Sequence, residues 1–146
     1  MTNKVFSCLA CWERDKNLIR QIRQVVFVIE QHVDPDLEWD GEDQNALHAL
    51  AGFSADDIVA TGRLQRDGKI GRMAVLAAWR KKGLGAVILN ELINAARESG
   101  LNDVYLNAQT HAIDFYERHG FVAEGPEFDE AGIPHRLMRR TLGEVE

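Results

Sequence analysis

The chain has 146 residues, of which 45% are hydrophobic and 27% are charged, and its formal net charge is −6. This composition is typical of a single folded domain with a sizeable core and excludes a disordered chain. No apolar run reaches the roughly 18 residues that a membrane span requires, and the excess of acids disfavours binding to nucleic acid. No basic and then apolar segment opens the sequence, so we expect no secretory signal and a cytoplasmic location.

Charges are distributed unevenly along the chain. The acidic segment, residues 30–43, has no Lys or Arg and contains Glu30, Asp34, Asp36, Glu38, Asp40, Glu42 and Asp43. The basic segment, residues 63–82, has one acid, Asp67, and contains Arg63, Arg66, Lys69, Arg72, Arg80, Lys81 and Lys82. Two interpretations are open: sites for ligands of opposite charge, or two solvated faces.

The first predicted strand contains one of only two cysteines, Cys8, and Cys11 follows it in a C-x-x-C pair. Positions three apart in a strand point to opposite faces, and no second C-x-x-C or His pair follows at the spacing of metal ligands. We therefore interpret both residues as structural thiols and expect no metal site.

The next elements are a helix and an antiparallel meander. Apolar residues at helical spacing predict a helix that begins near Asp15 and ends near Gln31, followed by an acidic loop over residues 32–44. Three strands follow, at residues 46–53, 58–64 and 70–76.

The second half of the chain alternates helices and strands. The predicted elements are a helix at 83–99, a strand at 104–106, a helix at 111–119, a strand at 121–123, a connecting loop at 126–134 and a strand at 135–141. The crossover through the helix at 83–99 predicts parallel strands on either side of it. The whole chain, residues 1–146, is expected to form one α/β domain (mixed α+β) with a mixed sheet.

The turn before the helix at 83–99 has the features of an anion-binding loop. Gly83 and Gly85 let a ligand approach the backbone, the helix start offers free N–H groups, and residues 80–82 are all basic. A Walker loop is excluded because Ala86 follows Gly85 where that motif needs Lys. A dinucleotide fingerprint matches weakly, because Ile88 stands where its third small residue is required.

Two motifs resemble those of the GNAT superfamily of N-acetyltransferases. Arg80-x-x-Gly83-x-Gly85 resembles its R/Q-x-x-G-x-G/A pyrophosphate-binding motif, and Ala112-x-x-Phe115-Tyr116-x-x-x-Gly120-Phe121 resembles its A-x-x-x-Y-x-x-x-G-F signature. Residues 26–31 and the acidic positions beyond them are similar to the small bacterial ElaA-like branch. The resemblance covers about residues 5–141 and implies a splayed mixed sheet flanked by helices, with acetyl-CoA as co-substrate.

The resemblance also implies which residues contact the co-substrate. Backbone amides of residues 81–86 would hold the pyrophosphate, the strand ending at Val75 would pair with the pantetheine arm, and the amide near Val75 would face the thioester oxygen. Gln109 stands where many relatives carry Asn, and Tyr116 matches the tyrosine beside the CoA sulfur. The expected contact residues are Met73, Ala74, Val75, Arg80, Lys81, Lys82, Gly83, Leu84, Gly85, Ala86, Gln109, Phe115 and Tyr116.

The catalytic assignments are Tyr116 as the group that assists the leaving thiolate, and His48 or Glu30 as the proton acceptor. Many relatives have a Glu on the fourth strand, but residues 70–79 contain no acid. His48 suits the role because histidine titrates near pH 6.5, whereas Glu30 would act through water or as a substrate anchor. His111 is a lesser candidate.

The expected reaction is direct transfer of an acetyl group from acetyl-CoA to a primary amine, without a metal or a covalent intermediate. The acidic segment would form an anionic rim that attracts a cationic acceptor such as a lysine side chain, a polyamine or an amino sugar, or it is an ordinary exposed loop. The alternatives are a catalytically inactive acyl-CoA-binding regulatory module and a small nicotinamide-binding protein. The resemblance alone also implies a homodimer.

Overall fold

The computed structural model describes residues 4–143, and its strands form two antiparallel sheets. The first sheet has the order β1-β2-β3-β4, with β1 Phe6–Leu9, β2 Leu47–Ser54, β3 Asp57–Leu64 and β4 Ile70–Val75. The second has the order β5-β7-β6, with β5 Asp103–Gln109, β6 Val122–Glu130 and β7 Ile133–Thr141.

Four α-helices accompany the sheets in the described range. They are α1 Trp12–Arg23, which continues as a wider π-helical segment at Gln24–Glu30, α2 Pro35–Glu38, α3 Leu84–Glu98 and α4 Ile113–Glu117. Within residues 4–143, no helix combines the length and the apolar character that crossing a membrane requires.

Helices α1 and α3 cover opposite faces of the first sheet. Leu50 and Ala74 pack with Ile22 of α1, whereas Ala49 and Ala51 pack in the cluster that contains Leu92 of α3. This division follows from the alternation of side chains along a strand. The predicted apolar stripe of α3 is confirmed as part of the main core.

Strands β4 and β5 run parallel and touch only at their beginnings. Lys69 forms an isolated bridge with Tyr105, and Tyr105 N donates to Gly68 O at 3.0 Å. Gly68 has φ +97°, and a Cβ there would lie 2.9 Å from the Asp103 carbonyl oxygen, so this close approach requires glycine. Beyond the bridge the strands pair with other partners, which opens a gap toward their carboxyl ends. One parallel bridge thus joins the two antiparallel sheets, and this arrangement confirms the predicted splayed, mixed sheet.

The prediction of a connecting loop at residues 126–134 is wrong. This segment belongs to the long antiparallel hairpin β6–β7, whose turn consists of two residues, Ala131 and Gly132. Both turn residues have positive φ, 54° and 77°, as a tight hairpin turn requires. Nearly all of β6 is exposed, so it lacks the alternation of apolar and polar residues that identifies a half-buried strand.

A closed ring of six charged side chains joins the acidic segment to the sheet. Each arginine of this charge ring bridges two carboxylates: Arg23 pairs with Glu38 and Asp43, Arg63 with Asp43 and Asp40, and Arg72 with Asp40 and Glu38. The N···O distances range from 2.6 Å for Arg23–Glu38 to 3.3 Å for Arg72–Glu38. The formal charges of the six groups cancel.

The ring accounts for part of the charge pattern. Arg23 and Arg63 are 0% and 2% exposed, and Glu38 is 3% exposed, so these three groups are neither a solvated face nor free to attract a ligand. Burial alone would raise the pKa of Asp40, but hydrogen bonds from Arg63 and from the Glu42 amide, together with the nearby arginine charges, lower it to about 2. Within residues 4–143, four acids of the acidic segment pair with arginines and three are exposed without an ion pair: Glu30, Glu38, Asp40 and Asp43 are paired, and Asp34, Asp36 and Glu42 are not.

We expect Arg23→Met to lower the free energy of unfolding by about 3–5 kcal/mol, because Glu38 and Asp43 then lose a buried partner. Methionine keeps most of the aliphatic part of the arginine side chain, so the change measures the effect of losing the guanidinium charge. Urea unfolding followed by circular dichroism measures the effect. Arg14→Met is the control, since the Arg14 side chain is 70% exposed. We expect the urea concentration at its unfolding midpoint to match that of the wild type. Equal losses in both variants would contradict a structural role for the ring.

Candidate active site

A cavity of about 550 Å³ lies in the gap between β4 and β5. Met73 and Arg72 of β4 line one side, and Asn107 and Gln109 of β5 line another. The π-helical segment contributes Phe27, while the charge ring and the β6–β7 hairpin form further parts of the wall. The predicted strand divergence thus creates a site of a size suited to small molecules.

The loop that enters α3 presents unpaired backbone amides. Within residues 4–143, the N–H groups of residues 81–86 have no hydrogen-bond acceptor, and Val87 N, which donates to Gly83 O at 3.2 Å, is the first paired amide of the helix. Lys81 and Gly83 both have positive φ, 63° and 83°, which turns the chain sharply before the helix. Unpaired amides and the helix dipole together favour an anionic ligand.

Gly85 keeps open space beside these amides. A Cβ added there would lie 3.7 Å from Phe115 Cζ, which is ordinary van der Waals contact, so the protein's own packing does not require glycine. The Phe115 ring contacts the Tyr116 ring edge-on at 5.1 Å between centroids. The structure therefore brings the two predicted motifs together at the start of α3.

Arg80 and Glu30 pair with each other. The Arg80 guanidinium donates to both carboxylate oxygens of Glu30, with Nη2–Oε1 at 2.7 Å, and its Nε donates to Val75 O at 2.9 Å. This hydrogen bonding lowers the pKa of Glu30, and Glu30 does not line the cavity. The structure thus gives Glu30 a poor position for accepting a proton, and it engages the Arg80 guanidinium with Glu30 and with Val75 O at the end of β4.

The end of β4 has a free edge toward the gap. Leu76 N donates to Val59 O at 3.0 Å, and successive amides of a strand point to opposite edges. The amide of Val75 therefore points away from β3, toward the side on which β5 diverges. Of the other two expected contacts on this strand, Met73 lines the cavity and Ala74 packs in the core beneath α1.

Tyr116 lies on the cavity wall next to β4. Its hydroxyl donates to Met73 Sδ at 3.6 Å, and burial raises the pKa of Tyr116 to about 12. The phenol is therefore protonated across the neutral range and acts as a hydrogen-bond donor.

Gln109 links the end of β5 to two neighbours. Its Nε2 donates to Gln31 Oε1 at 3.1 Å, and its Oε1 accepts from His111 Nε2 at 2.7 Å. These contacts connect the second sheet to the chain segment that follows α1. All three residues line the cavity.

His48 has a structural position. It is 2% exposed, its ring stacks on Trp12 at 4.8 Å, and its Nε2–H donates to the carbonyl oxygen of Asp43 at 2.8 Å. Burial lowers the pKa of His48, and the residue does not line the cavity. The structure therefore does not bring His48 to the site where we expected it to act.

Sequence reasoning missed two features of the wall. Arg72 lies in a bulge of β4, where Thr61 pairs with Ala74 but Arg63 pairs with Gly71, and its φ is +51°. The β6–β7 hairpin brings Glu130 and His135 to the cavity. No local pattern identifies either feature, because a bulge and a hairpin register are both defined by pairing with a distant strand.

Comparisons with known proteins agree with this geometry. A family model for an acetyltransferase (GNAT) domain matches residues 21–142. Protein ElaA of Escherichia coli strain K12 is 31% identical over 130 residues, which cover 84% of each chain. The crystal structure of E. coli ElaA superposes with a TM-score of 0.82 at 27% identity, covering 94% of this chain and 99% of ElaA.

Two further crystal structures have the same fold. An acyl-CoA N-acyltransferase from Pseudomonas aeruginosa has a TM-score of 0.81 at 32% identity, covering 92% of this chain and 99% of its own. A GNAT family acetyltransferase from Elizabethkingia anophelis with acetyl-CoA bound has a TM-score of 0.72 at 15% identity, covering 97% of this chain and 100% of its own.

The match at 21–142 contains both the amide-lined loop and the gap between β4 and β5. The chain therefore belongs to the GNAT family of N-acetyltransferases, as the two sequence motifs predicted, and it is similar to ElaA, as residues 26–31 and the positions beyond them predicted.

Proposed function

We propose that the protein transfers the acetyl group of acetyl-CoA directly to a primary amine bound in the cavity. The observation that carries this proposal is the set of unpaired amides of residues 81–86 at the start of α3, where Gly85 faces the Phe115 ring that contacts the cavity-lining Tyr116. The acetyl-CoA bound to the structurally similar E. anophelis acetyltransferase supports the choice of co-substrate.

The residues at the loop fit the diphosphate of this co-substrate. Amides of residues 81–86 would donate to its oxygens, with the exposed Lys81 and Lys82 nearby and the open space at Gly85 admitting the ligand. When bound, acetyl-CoA supplies an activated acyl carbon and a thiolate leaving group. The Val75 amide, on the free edge of β4, would donate to the thioester oxygen.

Tyr116 would donate a hydrogen bond to the departing sulfur. With its pKa raised to about 12, full proton transfer to a thiolate whose conjugate acid has a pKa of about 8.5 is uphill by about 5 kcal/mol. Hydrogen bonding stabilises the developing charge without that transfer. The wall near the charge ring carries cancelling charges, so the proposal specifies a primary amine and no preference for positive charges beyond the reacting ammonium group.

We expect the protein to release free CoA when acetyl-CoA is supplied with a panel of primary amines. Thiol release can be followed with a chromogenic disulfide, and mass spectrometry should find one acetylated amine for each thiol. The acyl-CoA-binding module instead predicts a raised melting temperature with acetyl-CoA but no thiol above background. A nicotinamide-binding protein predicts stabilisation by NAD.

We expect Gly85→Val to weaken acetyl-CoA binding by about tenfold, because a side chain larger than the Ala that the motif accepts fills the space beside the unpaired amides. Isothermal titration calorimetry measures the dissociation constant. Gly143→Val is the matched control, since a Cβ there meets nothing within 4 Å and the position is remote in sequence from the loop. Unchanged affinity in Gly85→Val would place the diphosphate elsewhere.

We expect Tyr116→Phe to lower kcat by about 10²-fold with little change in acetyl-CoA affinity, because it removes a donor needed mainly as the thiolate forms. The only other tyrosine provides a control. Tyr105 donates to Asp67 and does not line the cavity, so Tyr105→Phe should keep the wild-type kcat. Equal turnover in wild type and Tyr116→Phe would remove Tyr116 from the mechanism.

A further inference from the structure

We propose that Nε2 of His135 accepts the proton of the attacking amine, and that Glu130 holds the ammonium group beside it. This inference rests on the proposed acetyl transfer and identifies the proton acceptor that neither His48 nor Glu30 provides. His135 and Glu130 both line the cavity, and they lie on the two strands of the hairpin that sequence patterns did not predict.

The register of the second sheet places His135 at the gap. His135 on β7 pairs with Gln109 on β5, and residues directly opposite each other in an antiparallel pair share a face. Gln109 ends β5, where that strand diverges from β4. His135 is 6% exposed, so its imidazole is held in place by packing.

A backbone contact determines which ring nitrogen of His135 is free. Nδ1 lies 2.6 Å from the carbonyl oxygen of Ile133. A carbonyl oxygen can only accept, so Nδ1 carries the hydrogen and donates it. In the neutral ring the lone pair is therefore on Nε2, which is the nitrogen available to take a proton.

Glu130 faces this lone pair. The distance from His135 Nε2 to Glu130 Oε2 is 3.5 Å, too long for a normal hydrogen bond, so each atom keeps capacity for another N–H donor. An ammonium group has three N–H bonds and can donate to both atoms at once. Asn107 Nδ2 donates to the other carboxylate oxygen of Glu130 at 3.0 Å and so positions it.

The other carboxylates of the described cavity wall, Glu38 and Asp40, belong to the charge ring. His111 donates through Nε2 to Gln109, which leaves the lone pair of its Nδ1 free, but within residues 4–143 His111 forms no ion pair with a carboxylate. Among the lining residues of this range, His135 and Glu130 are the pair that combines a ring nitrogen with a free lone pair and a carboxylate that can bind an ammonium group.

The reaction moves one proton from the ammonium group to His135 and one to the thiolate. The ammonium N–H bond breaks, its electron pair stays on nitrogen, and the proton moves to Nε2 of His135 beside the Glu130 carboxylate. The freed pair forms the C–N bond to the acyl carbon, and the C–S bond breaks with its pair on sulfur. His135 passes its proton to solvent, and the second proton lost from nitrogen balances the one gained by the thiolate.

The decisive variant is His135→Asn. The Asn side-chain amide can still donate to Ile133 O but lacks the ring nitrogen that accepts the proton. We expect kcat to fall by about 10²–10⁴-fold, with acetyl-CoA affinity within twofold of wild type. The matched control is His32→Asn, because His32 is exposed, does not line the cavity and has φ +58°, a conformation that asparagine tolerates. Wild-type kcat in His135→Asn would overturn the inference.

Two further measurements do not depend on that variant. Free imidazole should partly restore turnover in His135→Ala but not change the wild type. On the intact protein, nitrogen-15 NMR should find the neutral ring of His135 protonated at Nδ1. Lack of rescue, or a ring protonated at Nε2, would overturn the inference.

Glu130→Gln separates the two roles within the pair. We expect KM for the amine to rise and kcat to fall by about tenfold, less than in His135→Asn. Glu127→Gln on the same strand, exposed and away from the cavity wall, should behave as wild type. A kcat loss in Glu130→Gln equal to that in His135→Asn would make Glu130 the acceptor and overturn the assignment to His135.

Failure of this inference can be distinguished from failure of the proposed function. If the wild-type protein acetylates amines and His135→Asn does so equally well, only the assignment of His135 as proton acceptor is contradicted. If the wild-type protein releases no CoA with any amine, the proposed function and this inference are both contradicted.

Discussion

The charge ring is the interaction on which the arrangement of the site depends. It connects α1, the acidic segment, β3 and β4 through alternating arginines and carboxylates, four of which are buried. Unpaired, each buried charge would cost several kcal/mol, so the partners must be present together or the segment cannot pack. The ring thereby holds one wall of the cavity against the strand that also carries Met73, while its own charges cancel.

The second determinant is the divergence of β4 and β5. A tight contact at Gly68 joins the strands at their beginnings, and different partners then draw them apart. The free edge of β4 is a consequence of this divergence, whereas the unpaired amides before α3 follow from the helix start, whose first N–H groups have no acceptor within the helix. Backbone groups that find no acceptor within the protein remain available to a ligand. The fold therefore creates the binding groups from main chain, which explains why few side chains are needed to identify the family.

The two sides of the gap supply different chemistry. Tyr116 contacts Met73 of β4, while His135 lies beside Gln109 of β5. In the proposed mechanism the donor to the leaving group thus lies on α4 against β4 of the first sheet, and the acceptor of the amine proton lies on β7 of the second sheet. Such an arrangement suits a direct transfer, in which the nucleophile and the leaving group bind to the same carbon from different directions.

The sequence by itself determined most helices and strands, the parallel crossover through α3, the sharp turn before that helix and the family, because these depend on local periodicity and on short motifs such as Arg80-x-x-Gly83-x-Gly85. It could not determine side-chain partners. Glu30 and Arg80 are 50 positions apart, and the sequence pattern does not disclose that they pair. The same holds for the charge ring, for the burial of His48 and for the β6–β7 hairpin. Only the tertiary structure decided these features, because ion pairing, burial and strand register depend on which distant segments meet.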